Sequence, residues 1–180
     1  MQPKLIILSD LWGRAKASWI FHYQEPLSKH FEVSYYDCCE LGEVDASIYT
    51  QEHLHRQFVN GGIENAVQNL VTKVTKPSIV LAFSIGGTVA WRAGLLGWKW
   101  SKLYAVSATR LRYEEQKPLG EISLHFGEKD VYRPNDTWME SMNLTAHLEE
   151  EKGHEVYREA AFAQQITTQI ITNYKADSKD

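Results

Sequence analysis

The chain has 180 residues, 43% of them apolar and 23% charged. A chain of this size and balance buries a sizeable core, and one domain over residues 1–180 is expected. The formal net charge of −4 excludes a nucleic-acid binder that relies on a broad basic face.

The longest mostly apolar run, residues 79–91, is too short to cross a bilayer and is interrupted by Ser84 and two glycines. The first ten residues, MQPKLIILSD, hold one lysine and a four-residue apolar run, too short for the core of a signal peptide. A cytoplasmic protein with neither a membrane nor a nucleic-acid partner is expected.

In chain order, Lys4–Leu8 is a short β-rich run that reads as a buried strand. The stretch 11–30 follows, where Trp19, Phe21, Tyr23 and Leu27 predict a helix packed on a sheet, its end blurred by Pro26. Phe31–Asp37 alternates as a second strand and runs into the two cysteines, Cys38 and Cys39. A disulfide between adjacent residues is strained and rare, so the pair reads as two thiols at a strand end rather than a redox or metal site. Residues 51–73 carry Leu54, Phe58, Ile63, Val67, Leu70 and Val71 at helical spacing, with a break at Gly61 and Gly62. Ser78–Phe83 is the third strand, and Thr88–Leu96 is helical. Lys102–Ala108, Glu121–Gly127 and Leu144–Glu150 are three more strands, and residues 155–174 form a closing amphipathic helix. Strands alternate with helices, and several are apolar on both faces. That pattern predicts an α/β fold of about six mostly parallel strands with helices on both faces. Ligands of such sheets bind at the carboxyl ends of the strands, so the residues just after each strand are the candidates for chemistry.

The stretch VLAFSIGGTVA, Val80–Ala90, holds the first candidate. Ser84 stands between a buried strand and a helix, where a sharp turn exposes a hydroxyl at the rim of the sheet. Ala82 and Gly86 supply the small residues such a turn needs, in the spacing of a nucleophile elbow with alanine for the first glycine. The helix that follows aims its N-terminus at the site and favours negative charge there. A serine hydroxyl needs a base, and the base needs an orienting acid. Asp130 follows the fifth strand and His154 the sixth, in the chain order Ser, Asp, His. Asp136 is the alternative acid.

On the segments AFSIGG, HFGEKDVYRP and EEEKGHEV the sequence resembles the α/β-hydrolase family, from Lys4 to about Tyr174. The resemblance implies a three-layer α/β-hydrolase fold with Ser84 as nucleophile, His154 as general base and Asp130 as its orienting acid. It also implies an oxyanion hole of two backbone N–H groups. One belongs to Ile85. The other follows the first strand, where Ser9-Asp10 stands in place of the family's usual His-Gly. Leu11 is then the second donor and Trp12 the fallback, while Asp10 reads as a turn residue. The segment TRLRYEEQKPLG is too short for the helical cap of many relatives, and the two strands that usually open the fold are expected to be missing. The expectation is a minimal, lidless hydrolase with an open site.

Arg110 and Arg112 follow a strand end at the rim of that site. They suit a substrate carboxylate or phosphate, or pair with Glu114 and Glu115 as a solvated loop. Trp12 is a further substrate-contact candidate, and Trp98 and Trp100 read as packing at the far end of the helix after Ser84. The remaining histidines show no metal spacing, so neither a metal nor a cofactor is expected.

The function these residues imply is a serine hydrolase of a carboxylic ester or thioester. The partner is a small-molecule substrate or an acyl chain borne by an acidic carrier protein. The rival outside this class is a catalytically silent binding protein of the same fold.

Overall fold

The structure, a computed structural model, describes residues 2–177. Six strands form one parallel sheet: β1 (Lys4–Leu8), β2 (Glu32–Tyr36), β3 (Ile79–Phe83), β4 (Lys102–Val106), β5 (Glu121–Gly127) and β6 (Ala146–Glu149). Their order is β2-β1-β3-β4-β5-β6. β1 and β5 have the predicted bounds, and the other four lie within predicted strands, trimmed by one or two residues at an end. Among the described residues seven α-helices connect or cover them: α1 (Phe21–Leu27), α2 (Cys38–Gly42), α3 (Gln51–Gln57), α4 (Ile63–Lys73), α5 (Ile85–Leu95), α6 (Asp136–Ser141) and α7 (Ala160–Asp177).

The pleat divides the core in two, because successive side chains point to opposite faces. Leu5 and Ile7 of β1, Leu81 and Phe83 of β3, and Tyr104 and Val106 of β4 pack under α1 and α7. Ile6 and Leu8, Val80 and Ala82, and Leu103 and Ala105 pack under α2, α4 and α5 on the other face. Each fully buried Leu, Ile or Phe contributes roughly 1.5–3 kcal/mol. The two-sided apolar pattern of β3, buried at all five positions, therefore fixes it in the middle of the sheet. The chain leaves β1 for one neighbour, β2, and then crosses back to the other, β3. That reversal opens a crevice at the carboxyl ends of β1 and β3, where ligands of such sheets bind.

Two helical expectations change here and one holds. Residues 11–20 do not join the first helix but form two 3₁₀ turns, Gly13–Lys16 and Ser18–Ile20. The cause is tertiary. The Asp37 carboxylate takes the Arg14 N–H at 2.6 Å and also caps α2 through Cys39 and Glu40. Its oxygens crowd Gly13, held at φ 61, so closely that only glycine fits. The break at Gly61 and Gly62 is present, with Gly61 at φ 116 between α3 and α4. The closing helix starts at Ala160, because Glu159 is extended (φ −82, ψ 131) after a 3₁₀ turn at His154–Arg158.

Between β4 and β5 the chain makes a single 3₁₀ turn, Thr109–Tyr113, and no cap stands over the sheet there. Trp98 and Trp100 are buried beyond the end of α5 and donate to the carbonyls of Val74 and Glu121. Among the described residues no helix is long and apolar enough to cross a membrane.

Candidate active site

Ser84 lies between β3 and α5 with φ 49 and ψ −113, a conformation an L-residue holds at roughly 1–3 kcal/mol. Packing enforces it. The Ser84 N–H donates to the Val106 carbonyl at 2.8 Å, while Gly86 and Gly87 let α5 start against neighbouring backbone. A Cβ on Gly86 would stand 2.5 Å from the Ser9 carbonyl oxygen, and one on Gly87 2.5 Å from Ala108 Cβ. Ala82, two before the serine, is wholly buried, and its single methyl is accommodated. The helix begins at Ile85 rather than Thr88, so its N-terminal N–H groups converge on the turn.

Ser84 Oγ is 3.1 Å from His154 Nε2, and His154 Nδ1 is 2.7 Å from Asp130 Oδ2. A carboxylate only accepts, so Nδ1 carries the ring proton and Nε2 offers its lone pair to the serine hydroxyl. Asp130 is buried, and its second oxygen accepts from the Tyr132 N–H at 3.1 Å. His154 is half-exposed above it. The two loops that meet here are sewn together by Lys129 N–H donating to the Lys152 carbonyl at 2.8 Å. The alternative acid, Asp136, sits in the first turn of α6 and takes no part in this line.

Asp10 is almost wholly buried at the end of β1. Its Oδ1 accepts from the Trp12 N–H at 3.0 Å, and its Oδ2 accepts from Tyr157 at 3.1 Å and from Arg158 at 3.3 Å. Burial pushes the Asp10 carboxyl up, and the Arg158 charge opposes that shift. Asp10 is thus the turn residue, and it consumes the Trp12 N–H. The N–H of Trp12, the fallback oxyanion donor, is therefore already engaged. Leu11 and Ile85 line one cavity with Ser84 and His154, of about 700 Å³. Trp12 does not line it. Its ring meets Tyr49 edge-on at 5.4 Å, with Lys16 Nζ 3.7 Å from the ring centroid.

Arg110 and Arg112 both line this cavity. Neither has the expected carboxylate: Glu114 is held instead by Arg92 at 2.7 Å. One wall was not foreseen. Gln51, Glu52 and His55 of α3 line the cavity as well, so the site is less open than its missing cap implies. Among the described residues no cluster of three His, Cys, Asp or Glu is arranged to hold a metal ion.

Known structures resemble this fold at low sequence identity. The mouse α/β hydrolase domain-containing protein 10 superposes with a TM-score of 0.69 at 12% identity, covering 98% of this chain and 91% of its own. Est1E from Butyrivibrio proteoclasticus, solved with ferulic acid bound, gives 0.66 at 11% identity, covering 97% and 90%. A serine hydrolase without a lid from Xanthomonas campestris gives 0.64 at 14%, covering 97% and 83%. The chain has the α/β-hydrolase fold. No protein-family model matches it, and no curated protein matches its sequence.

Within this α/β-hydrolase fold, sequence reasoning overlooked three supports of the site. Ser107, buried at the end of β4 with φ 51, donates its hydroxyl to the His154 carbonyl at 2.7 Å. Its signal was weak: a polar residue directly after an apolar strand, as at Ser84. Tyr157 spans two loops, bonding Asp10 and standing 5.5 Å from the Phe83 ring just before the serine. Cys39 lies in the first turn of α2 instead of ending a strand, and its thiol donates to the Leu11 carbonyl at 3.2 Å. Burial pushes that thiol up to about 12, so it serves as a neutral donor.

Proposed function

We propose that the protein is a serine hydrolase that cleaves a small carboxylic ester or thioester through an acyl-enzyme on Ser84. One observation carries this reading: the unbroken line Ser84–His154–Asp130, with links of 3.1 and 2.7 Å, beside a cavity of about 700 Å³. That volume suits a small-molecule substrate.

Ser84 Oγ attacks the carbonyl carbon while its proton passes to His154 Nε2. The carbonyl electron pair moves onto oxygen, and the N–H groups of Leu11 and Ile85 hold the oxyanion. Collapse breaks the C–O or C–S bond, and the proton on Nε2 goes to the leaving group. Water then gives a proton to Nε2 and attacks the acyl carbon. Collapse of the second intermediate returns that proton to Ser84 Oγ and frees the acid. Asp130 orients the ring and stabilises the imidazolium that forms twice in the cycle. Each oxyanion donor contributes on the order of 10²–10³ in kcat, and positioned proton transfer on the order of 10²–10⁴.

A fluorophosphonate probe tests this. Wild-type protein is expected to be labelled at Ser84 alone, and Ser84→Ala to be unlabelled and inactive on p-nitrophenyl esters. Asp130→Asn is expected to cut kcat by about 10⁴ through the wrong ring tautomer. Labelling that persists in Ser84→Ala would overturn the assignment. So would folded wild type that neither labels nor turns over any ester in a panel graded by chain length; a silent binding protein would then stand in its place.

A further inference from the structure

Arg110 is the group in the cavity that the proposed hydrolysis leaves unused. It lies in the turn after β4, half-buried, and shares the cavity with Ser84 and His154. Its Nε is buried without a hydrogen-bond partner, and among the described residues it forms no ion pair. The guanidinium carbon lies 5.1 Å from the Tyr113 ring centroid.

The neighbouring Arg112 differs. Its Nη1 donates to the carbonyls of Thr109 at 2.8 Å and Tyr132 at 3.2 Å, and its Nη2 to the Tyr113 hydroxyl at 2.7 Å. Arg112 therefore braces the turn against the loop that follows Asp130, and most of its fork is already spent. Arg110 has no such employment. The carboxylates nearby are engaged or peripheral. Glu114 belongs to Arg92, Glu155 pairs with Arg158 at 3.2 Å, and Glu52 is exposed at the rim. Burial, with the charges of Arg92 and Arg112, pulls the Arg110 guanidinium below its usual range. The same field reaches the α3 wall, where partial burial and the charges of Arg110 and Arg112 push His55 down. Arg110 and Arg112 thus place positive charge on the cavity wall formed by the turn after β4.

A half-buried guanidinium without a counterion is costly, and a planar carboxylate matches its fork with two charge-assisted hydrogen bonds. We propose that Arg110 is the anion-binding subsite of this cavity and that the substrate is an ester or thioester of a small acid carrying a second, free carboxylate. The monoester of a short dicarboxylic acid is the simplest member of this class. Its carboxylate meets Arg110 while its ester carbonyl meets Ser84. This rests on the serine-hydrolase reading and gives it a substrate class.

The experiment compares mono-p-nitrophenyl glutarate with p-nitrophenyl pentanoate, which has the same acyl length and no charge. Wild type is expected to favour the anionic ester in kcat/KM by roughly ten- to a hundredfold, the range a charge-assisted pair supplies. Arg110→Gln is expected to erase that ratio and Arg110→Lys to keep part of it. Free glutarate is expected to compete, and inorganic phosphate to compete more weakly. A ratio near one in wild type, or a ratio unchanged in Arg110→Gln, overturns the proposal. Stronger competition by phosphate than by glutarate, or a preference seen only for acyl chains on a carrier protein, overturns it too. Calorimetry of monomethyl glutarate on Ser84→Ala separates the two readings. Binding that depends on Arg110 without hydrolysis by wild type leaves the subsite standing and removes the hydrolase. Hydrolysis of both esters without preference does the reverse. If Arg110→Gln fails to fold, Arg110→Lys and glutarate competition on wild type decide.

Discussion

Gly86→Ala probes the joint between the serine turn and the oxyanion loop. The added Cβ would lie 2.5 Å from the Ser9 carbonyl oxygen, 2.9 Å from Leu8 Cβ and 3.0 Å from the Leu8 carbonyl oxygen. Two of these three atoms are backbone of β1 and the segment after it, so no rotamer change relieves the contact. Either α5 or the β1 end must move by several tenths of an ångström. Overpacking of this kind costs roughly 1–3 kcal/mol. For a chain of this size each kcal/mol lowers the melting midpoint by about 2–4 °C, which gives a fall of roughly 2–12 °C. The activity loss is expected to exceed the stability loss. The displaced segment carries Leu11, and since a misplacement of about 1 Å costs about a hundredfold, a shift of several tenths of an ångström is expected to cut kcat by up to that factor. Gly97→Ala is the comparator: it stands at φ 91 with no atom within 4 Å of the added Cβ, at the far end of α5. It is expected to lower the midpoint through backbone strain of about 1–2 kcal/mol while kcat/KM holds. Thermal melts and p-nitrophenyl ester kinetics measure both. Gly86→Ala with wild-type midpoint and wild-type kcat would refute the claim that the two loops are held in rigid contact.

Asp10→Ala strips the acceptor from the Trp12 N–H, Tyr157 and Arg158. The expected cost is about 1–3 kcal/mol in denaturant titration, with kcat falling more than KM rises; Asp10→Asn keeps an acceptor for Trp12 and recovers part of kcat. His125 is buried on β5, and burial followed by the His147 charge pulls it down to about 3. The unfolded chain protonates this group near pH 6.5 and the folded chain does not. Stability is therefore intact above pH 6.5 and lost as pH falls from there toward 3, at up to about 1.4 kcal/mol per pH unit. Urea midpoints between pH 7 and 4 check this, and His125→Gln is expected to flatten the slope; an equal slope in the variant would assign it to other groups.

The residue types of the site, and its place in the chain, are legible without the structure. Apolar runs at both sheet faces identify β1, β3 and β4, because two-sided burial demands continuous hydrophobicity. A serine directly after such a run, and an aspartate and a histidine within a few residues of the next strand ends, are visible as candidates, and the fold's chain order arranges them. Ser84 and its small neighbours announce a tight turn for the same local reason. Residues 11–20 stand in the stretch expected to be helical, yet they do not join the helix, since Asp37, more than twenty residues on, captures the Arg14 N–H. What only the tertiary structure decides are the pairings between distant segments. The serine and histidine stand 70 residues apart in sequence, and the histidine and its acid 24. The choice of Asp130 over Asp136 follows from which loop is tied to the histidine loop. Glu114 is adjacent in sequence to the arginine-bearing turn, but it turns to Arg92 on α5, so Arg110 is left without a paired carboxylate. Local sequence fixes the periodicity and the turns, because these depend on near neighbours; the partner of each charge depends on how sheet and helices pack, which no local pattern encodes.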